Sequence, residues 1–310
     1  LTTGRDWWFV SAIDDKGVTY ITDPPNGRAF LDVMEKCGNT VLGPIAAAAA
    51  KMALGSPEPV TKLISGAVAA TDNPKIVAPF NANHEIVFVP LNDESAVAAA
   101  FDNDVAAVII EGIQGVGGIQ LPNDSFLTFL KKKCDENGAL LILDEIQSGY
   151  GRSGKFFSHQ FSGVKPHIIT TAKGMGNGFP VGGVLIHPDI KPWSGMLGTT
   201  FGGNYLSSVA SLAVLEVMER EKLVENAAKL GEYVMAELKK IPALKSVRGR
   251  GLMIGFDLPE DKKSVRLDLL KKHRIFTGEA KPNVIRLLPS LAVTKDELDI
   301  FLTALKHELQ

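Results

Sequence analysis

Two cysteines, Cys37 and Cys134, are all that the 310-residue sequence holds. They show no metal-ligand spacing, which argues against a disulfide framework and makes a reducing cytoplasm the simplest home. There is also no basic block: 33 Lys and Arg stand against 35 Asp and Glu, for a net charge of -2. That balance speaks against a nucleic-acid partner. No apolar run reaches the roughly 20 residues of a membrane span, and no signal-peptide pattern opens the chain, so neither insertion nor secretion is expected. Internal repeats and long charge runs are missing too. The glycine-rich "GRGLMIG" (249–255) lacks the G-x-G-x-x-G spacing of a dinucleotide loop.

What is present is a rhythm of short apolar runs and amphipathic stretches. "EIVFVPL" (85–91), "VAAVII" (105–110), "ALLIL" (139–143), "HIITTA" (167–172) and "VGGVLI" (181–186) read as strands. Their lack of polar alternation suits a sheet buried on both faces. Between two of them lies "NDSFLTFLKKKCDENG", with Asn123 or Asp124 as cap. Phe126, Leu127, Leu130 and Cys134 share one helical face there, and Gly138 suits the position after the last turn. Strand, helix, strand at this spacing predicts right-handed parallel crossovers and an α/β domain. Two long helices follow over 206–240. From Pro242 onward, "SVRGRGLMIGFDL", "KKSVRLDLLKKH", "NVIRLLPSLAV" and "TKDELDIFLTALKHEL" read as strand, helix, strand, helix, with Thr294 and Glu297 as a capping box. The expected division is an N-terminal segment (1–66), a large domain (67–240) and a smaller C-terminal α/β domain (241–310). In the first segment only "DDKGVTY" (14–20) carries a hairpin signal, and five consecutive alanines occupy 46–50.

Ligands of parallel α/β sheets bind outside the carboxyl ends of the strands. Three strand ends here carry a charge where a buried strand should simply turn: Glu111, Asp144 and Lys173. Singly, each has an ordinary explanation, since acids often open turns and most lysines are solvated. Together they are harder to dismiss, because each runs into glycine-rich sequence ("EGIQGVGG", "DEIQSGYG", "KGMGNG") that lets backbone approach a ligand. A lysine in a cleft can lose its proton and form a Schiff base. An aspartate against a pyridine nitrogen keeps that nitrogen protonated, so the ring draws electrons from a neighbouring carbanion. Lysine and acid so placed are the pyridoxal phosphate arrangement. A buried Asp144 implies a cationic partner. Glu145 is assigned to the turn, without chemistry.

The stretches "VIIEGIQGVGG", "LLILDEIQSGYGRSGKF", "IITTAKGMGNGFPVGGV", "GTTFGGN", "VRGRGLMIG" and "NVIRLLPSL" resemble the class-III, fold-type-I pyridoxal-phosphate aminotransferases, with the acetylornithine group nearest. The likeness runs almost continuously from about Ala67 to the C-terminus. It implies a large domain with a mostly parallel, seven-stranded type of sheet, and a two-fold dimer with shared active sites. It also implies pyridoxal 5'-phosphate as cofactor and no metal. By this resemblance Lys173 would carry the cofactor and shuttle a proton, while Asp144 would pair with the ring nitrogen. Ile146 would pack on the ring face and Gln147 would approach the ring hydroxyl. Thr200 would bind the phosphate of the neighbouring subunit, with Thr199 near substrate. Arg286 would clamp a substrate carboxylate, a task suited to a planar two-pronged donor. Glu111 would pair with Arg286 when the amine donor offers no carboxylate there, and release it for 2-oxoglutarate.

The activity so implied is transfer of the terminal amine of an acylated ornithine to 2-oxoglutarate, a step of arginine biosynthesis. An ornithine or 4-aminobutyrate transaminase stays open, as does a non-catalytic homologue, and nothing chooses acetyl over succinyl. Two motifs usual in the family are missing from the sequence. One is a Ser-Gly-Ala/Thr-Glu-Ala loop that cradles the cofactor phosphate at a helix N-terminus. The other is Phe-His-Gly-Arg-Thr, which covers the ring and takes a carboxylate. The chain is shorter than the family and the deficit falls before residue 67. The expectation is that segments are missing between consecutive residues there, rather than that the enzyme has lost them.

Overall fold

The computed structural model describes residues 87–191, 201–280 and 282–310. Expectations for the first 66 residues, Thr199 and Thr200 lie outside the described residues. The described chain groups into two units. One takes 87–110, 123–146, 162–191 and 201–215; the other takes 111–122, 147–161 and the described part of 216–310.

In the first unit a short helix α1 (Glu94–Ala100) precedes strand β1 (Ala107–Glu111), helix α2 (Asp124–Asn137) and strand β2 (Leu140–Asp144). Phe126, Leu127, Leu130 and Cys134 are the buried residues of α2, the face expected from their spacing. They pack with Leu141 and Leu143 of β2, each large side chain contributing about 1.5–3 kcal/mol by leaving water. Gly138 stops the helix at φ 68°, and its N–H donates to the Cys134 carbonyl. Burial pushes the Cys134 thiol up to about 12, so it stays protonated and packs as a small apolar group.

Strands β3 (Ile168–Thr171) and β4 (Gly183–Ile186) complete a sheet in the order β1-β2-β3-β4. The β2–β3 pair is parallel, with Asp144 opposite Thr170. The next pair, β3 and β4, is antiparallel, so the described sheet is mixed. Their connection holds only the single turn Lys173–Met175. A parallel return needs a crossover of about a dozen residues or more, usually with a helix. The run 85–91 is a correction: residues 87–90 form no strand. Val87 and Phe88 are 69% and 65% exposed, and Pro90 has no N–H to give a ladder.

Helices α3 (Tyr205–Arg220) and α4 (Leu223–Lys239) follow. In the second unit, α4 turns Ala227, Leu230, Val234 and Leu238 into the core. That core is shared with strands β5 (Lys245–Arg250), β6 (Met253–Asp257) and β8 (Val284–Leu287) and with helices α5 (Val265–His273) and α6 (Lys295–Leu309). The sheet order is β5-β6-β8-β7, where β7 is Gly278–Ala280, and every pair is antiparallel. "SVRGRGLMIGFDL" is thus a hairpin and not one strand; Gly251, at φ 53°, makes the turn. The capping box forms as expected, with Thr294 accepting from the Glu297 N–H and Glu297 accepting from the Thr294 N–H.

A charged clasp joins the last two helices. Glu308 accepts from Lys272 at 2.8 Å and meets His273 at 2.9 Å and His307 at 3.0 Å. Led by the Lys272 hydrogen bond, these partners bring the Glu308 carboxyl from 4.5 down to about 2. A carboxylate whose folded value is depressed stabilises the fold above its unfolded value and loses that contribution as pH falls towards the folded one. Glu308→Gln is therefore expected to lower the urea midpoint at neutral pH, with the gap to wild type closing between about pH 4.3 and 2. A constant gap down to pH 2 would show the clasp to be electrostatically idle.

Candidate active site

Asp144 ends β2 and Thr170 lies opposite it in parallel register. Lys173 leaves the same edge three residues later, in the turn that follows β3. The two groups therefore emerge at the carboxyl ends of adjacent parallel strands, where α/β sheets place ligands. The Asp144 carboxylate accepts from the Ile146 N–H at 2.9 Å, a side-chain turn that any strand-ending aspartate could make. Its setting goes further. Burial raises the Asp144 carboxyl above its ordinary value, while the Ile146 hydrogen bond, the Lys173 ammonium and the neighbouring Thr170 hydroxyl hold it down. A half-desolvated acid with a hydroxyl and an amine beside it is a polar set that fits a cationic ring nitrogen.

Lys173 itself is exposed and sits at φ 44°, in the left-handed region. A non-glycine residue there costs about 1–2 kcal/mol, and such outliers gather at functional sites. Its carbonyl accepts from both Gly176 and Asn177, which fixes the turn beneath the side chain. Glu145, the second acid of the opening motif, is completely buried. Its N–H donates to the Thr170 carbonyl at 2.9 Å, extending the β2–β3 pairing.

The second unit holds the other described candidates: Glu111, Gln147 and Arg286. They converge on one peptide. Glu111 accepts from the Gly115 N–H at 2.9 Å, and Arg286 donates to the Gly115 carbonyl at 3.0 Å. The Gln147 carboxamide oxygen lies where a side chain on Gly115 would begin. The Nε of Arg286 donates to the Glu279 carbonyl at 2.9 Å. Among the described residues no carboxylate pairs with this guanidinium, so donors remain for an anion from solution.

Arg152 was not singled out by sequence reasoning. Its guanidinium donates to the carbonyls of Leu252 and Pro289, and its own carbonyl accepts from the Leu252 N–H. It thereby ties the 147–161 segment to the β5–β6 turn and to the loop leaving β8. Burial brings its guanidinium down to about 10. The available signal was a charged residue inside the glycine- and aromatic-rich "SGYGRSGKFF".

Comparison with known proteins gives a consistent result. The family model for aminotransferase class-III matches residues 46–309. An acetylornithine aminotransferase of Bacillus anthracis is 39% identical over 216 residues, covering 68% of this chain and 56% of the relative. One from Methanosarcina acetivorans is 36% identical over 246 residues, covering 78% of the chain and 62% of the relative. Ornithine aminotransferase 2 of Staphylococcus aureus is 40% identical over 227 residues, covering 72% and 57%. The chain thus spans somewhat more than half the length of these curated relatives. Among solved structures, an ornithine aminotransferase from Plasmodium yoelii superposes with a TM-score of 0.74 at 29% identity, covering 93% of this chain and 78% of that one.

Proposed function

The chain belongs to the class-III aminotransferases, and from that premise we propose that it moves the terminal amino group of an N-acylated ornithine to 2-oxoglutarate. Pyridoxal 5'-phosphate supplies the electron sink when bound. The observation that carries the reading is the pair Asp144 and Lys173 at the carboxyl ends of adjacent parallel strands.

Each residue then has a defined task. The Lys173 amine would hold the cofactor, and its Nζ would serve as the base for the proton on the carbon that bears the donor amine. The Asp144 carboxylate would hold a proton on the ring nitrogen. Ile146 would pack on the ring face, and Gln147 would donate or accept at the ring hydroxyl. Arg286 orients 2-oxoglutarate through one carboxylate, and Glu111 competes for that guanidinium during the other half-reaction. Thr200 binds the cofactor phosphate of a second copy of the chain, with Thr199 beside it near substrate, in a cytoplasmic homodimer. Among the described residues no helix is long and apolar enough to cross a membrane.

Free ornithine is the second reading, supported by ornithine aminotransferases at 40% identity beside the acetylornithine enzymes at 39% and 36%. The test is glutamate formation from 2-oxoglutarate with N-acetylornithine, N-succinylornithine, ornithine or 4-aminobutyrate as donor. An acylated ornithine is expected to give the highest kcat/KM; ornithine ahead of both would replace the first reading with the second. No absorbance retained by the protein after incubation with pyridoxal phosphate and removal of the unbound cofactor would remove both. In the active enzyme, Arg286→Ala is expected to raise the KM for 2-oxoglutarate by about 10- to 150-fold, the worth of a charge-assisted pair. An unchanged KM would take Arg286 out of the acceptor site.

A further inference from the structure

Gly115 stands at the centre of the second unit's site residues, and its two halves do different things. Its peptide groups are fully engaged. The N–H donates to Glu111 at 2.9 Å, and the carbonyl accepts from Arg286 at 3.0 Å and from the Gly118 N–H at 3.2 Å. Its missing side chain is engaged as well. A Cβ built on Gly115 would collide with Gln147 Oε1, with the Cδ and Nε2 of the same carboxamide next nearest. Among the described residues the three nearest atoms all belong to Gln147, so a methyl group there would press first on that carboxamide. The backbone itself does not call for glycine, because Gly115 is not among the residues with positive φ.

We infer that Gly115 is a positioning residue: the absence of its side chain sets the Gln147 carboxamide, while its peptide independently registers Glu111 and Arg286. One residue thereby separates the cofactor-side group from the acceptor-side groups. A methyl group at 115 should disturb the first and spare the second. This rests on the roles proposed above for Gln147 and Arg286. It adds a claim that neither role contains, namely that the two can be uncoupled at a single Cα.

The experiment is a double-mutant cycle with two readouts. Pyridoxal phosphate affinity is measured by absorbance titration of the cofactor-free protein, and the KM for 2-oxoglutarate is measured on the loaded enzyme. Gly115→Ala and Gln147→Ala are each expected to weaken cofactor binding by about two- to tenfold, the worth of one hydrogen bond. In the Gln147→Ala background the carboxamide is gone, and adding Gly115→Ala should change affinity by less than about twofold. Adding Gly115→Ala, to the parent or to Gln147→Ala, should change the acceptor KM by less than about twofold, because the Gly115 N–H and carbonyl survive the substitution. Additive losses of affinity would overturn the inference. So would a Gly115→Ala protein whose acceptor KM rises like that of Arg286→Ala, since the loop itself would then have been displaced. If Gly115→Ala does not fold, the double variant decides: the inference requires it to fold, because the collision with the Gln147 carboxamide has been removed. An Arg286→Ala enzyme with wild-type KM, by contrast, removes the proposed role of Arg286 and leaves the Gly115–Gln147 coupling standing.

Discussion

Lys173→Ala is expected to fold as the parent does and to lose transamination by about four orders of magnitude or more, the combined worth of a covalent attachment point and a general base. Stability should change little, because the Lys173 side chain is exposed and carries no core packing. Alanine also inherits the same left-handed φ of 44° at similar strain. The turn is held by the Lys173 carbonyl and not by its side chain, through the Gly176 and Asn177 N–H groups. Thermal melting and glutamate formation, measured side by side, separate the two roles. Borohydride reduction of the loaded wild-type enzyme, followed by peptide mapping, should place the modified residue at 173. A label on another lysine, or an alanine variant within tenfold of wild type, would sink the assignment.

The position of Lys173 at a strand end was legible because its setting is local: an apolar strand, an exposed charge and a glycine-rich turn are written consecutively. The same holds for β2 and α2, whose apolar runs and helical spacing survive into the core unchanged. Pairing direction is not local. The β4 run reads as a buried strand without showing its direction, and it pairs antiparallel with β3 across a connection that forms no crossover helix. The 246–258 stretch appeared as one strand because a hairpin turn at Gly251 leaves no polar interruption between its arms. Strand β7, three residues of mixed polarity, carries no periodic signal and exists through its pairing with β8. Residues 85–91 failed in the opposite sense, an apolar run with a proline and no strand at 87–90.

The candidate site divides along the same line. Charges at strand ends could be read, whereas the Gly115 peptide could not, since it joins residues 171 positions apart. Arg152 likewise spans 100 and 137 residues to its carbonyl partners. A side chain that braces backbone across such separations looks, in sequence, like any surface arginine.

Asp144→Asn should separate stability from function in the opposite direction to most core substitutions. The amide oxygen can still accept from the Ile146 N–H, so the turn after β2 is retained. Burial raises the carboxyl of Asp144, which means that its ionised form is the less comfortable one in the folded chain. Such a group costs stability above its folded value and returns it as pH falls through that value. The neutral amide removes this cost. The cofactor-free Asn variant is therefore expected to melt at or above the wild-type temperature at pH 7, with the difference shrinking as the pH is lowered. Activity should move the other way, by several orders of magnitude, because an amide cannot hold a proton on the ring nitrogen. An Asn variant with near wild-type turnover removes Asp144 from the chemistry. One that melts well below wild type in the cofactor-free state shows instead that the carboxylate is a structural anchor, and its loss of turnover would then carry no information about the ring nitrogen.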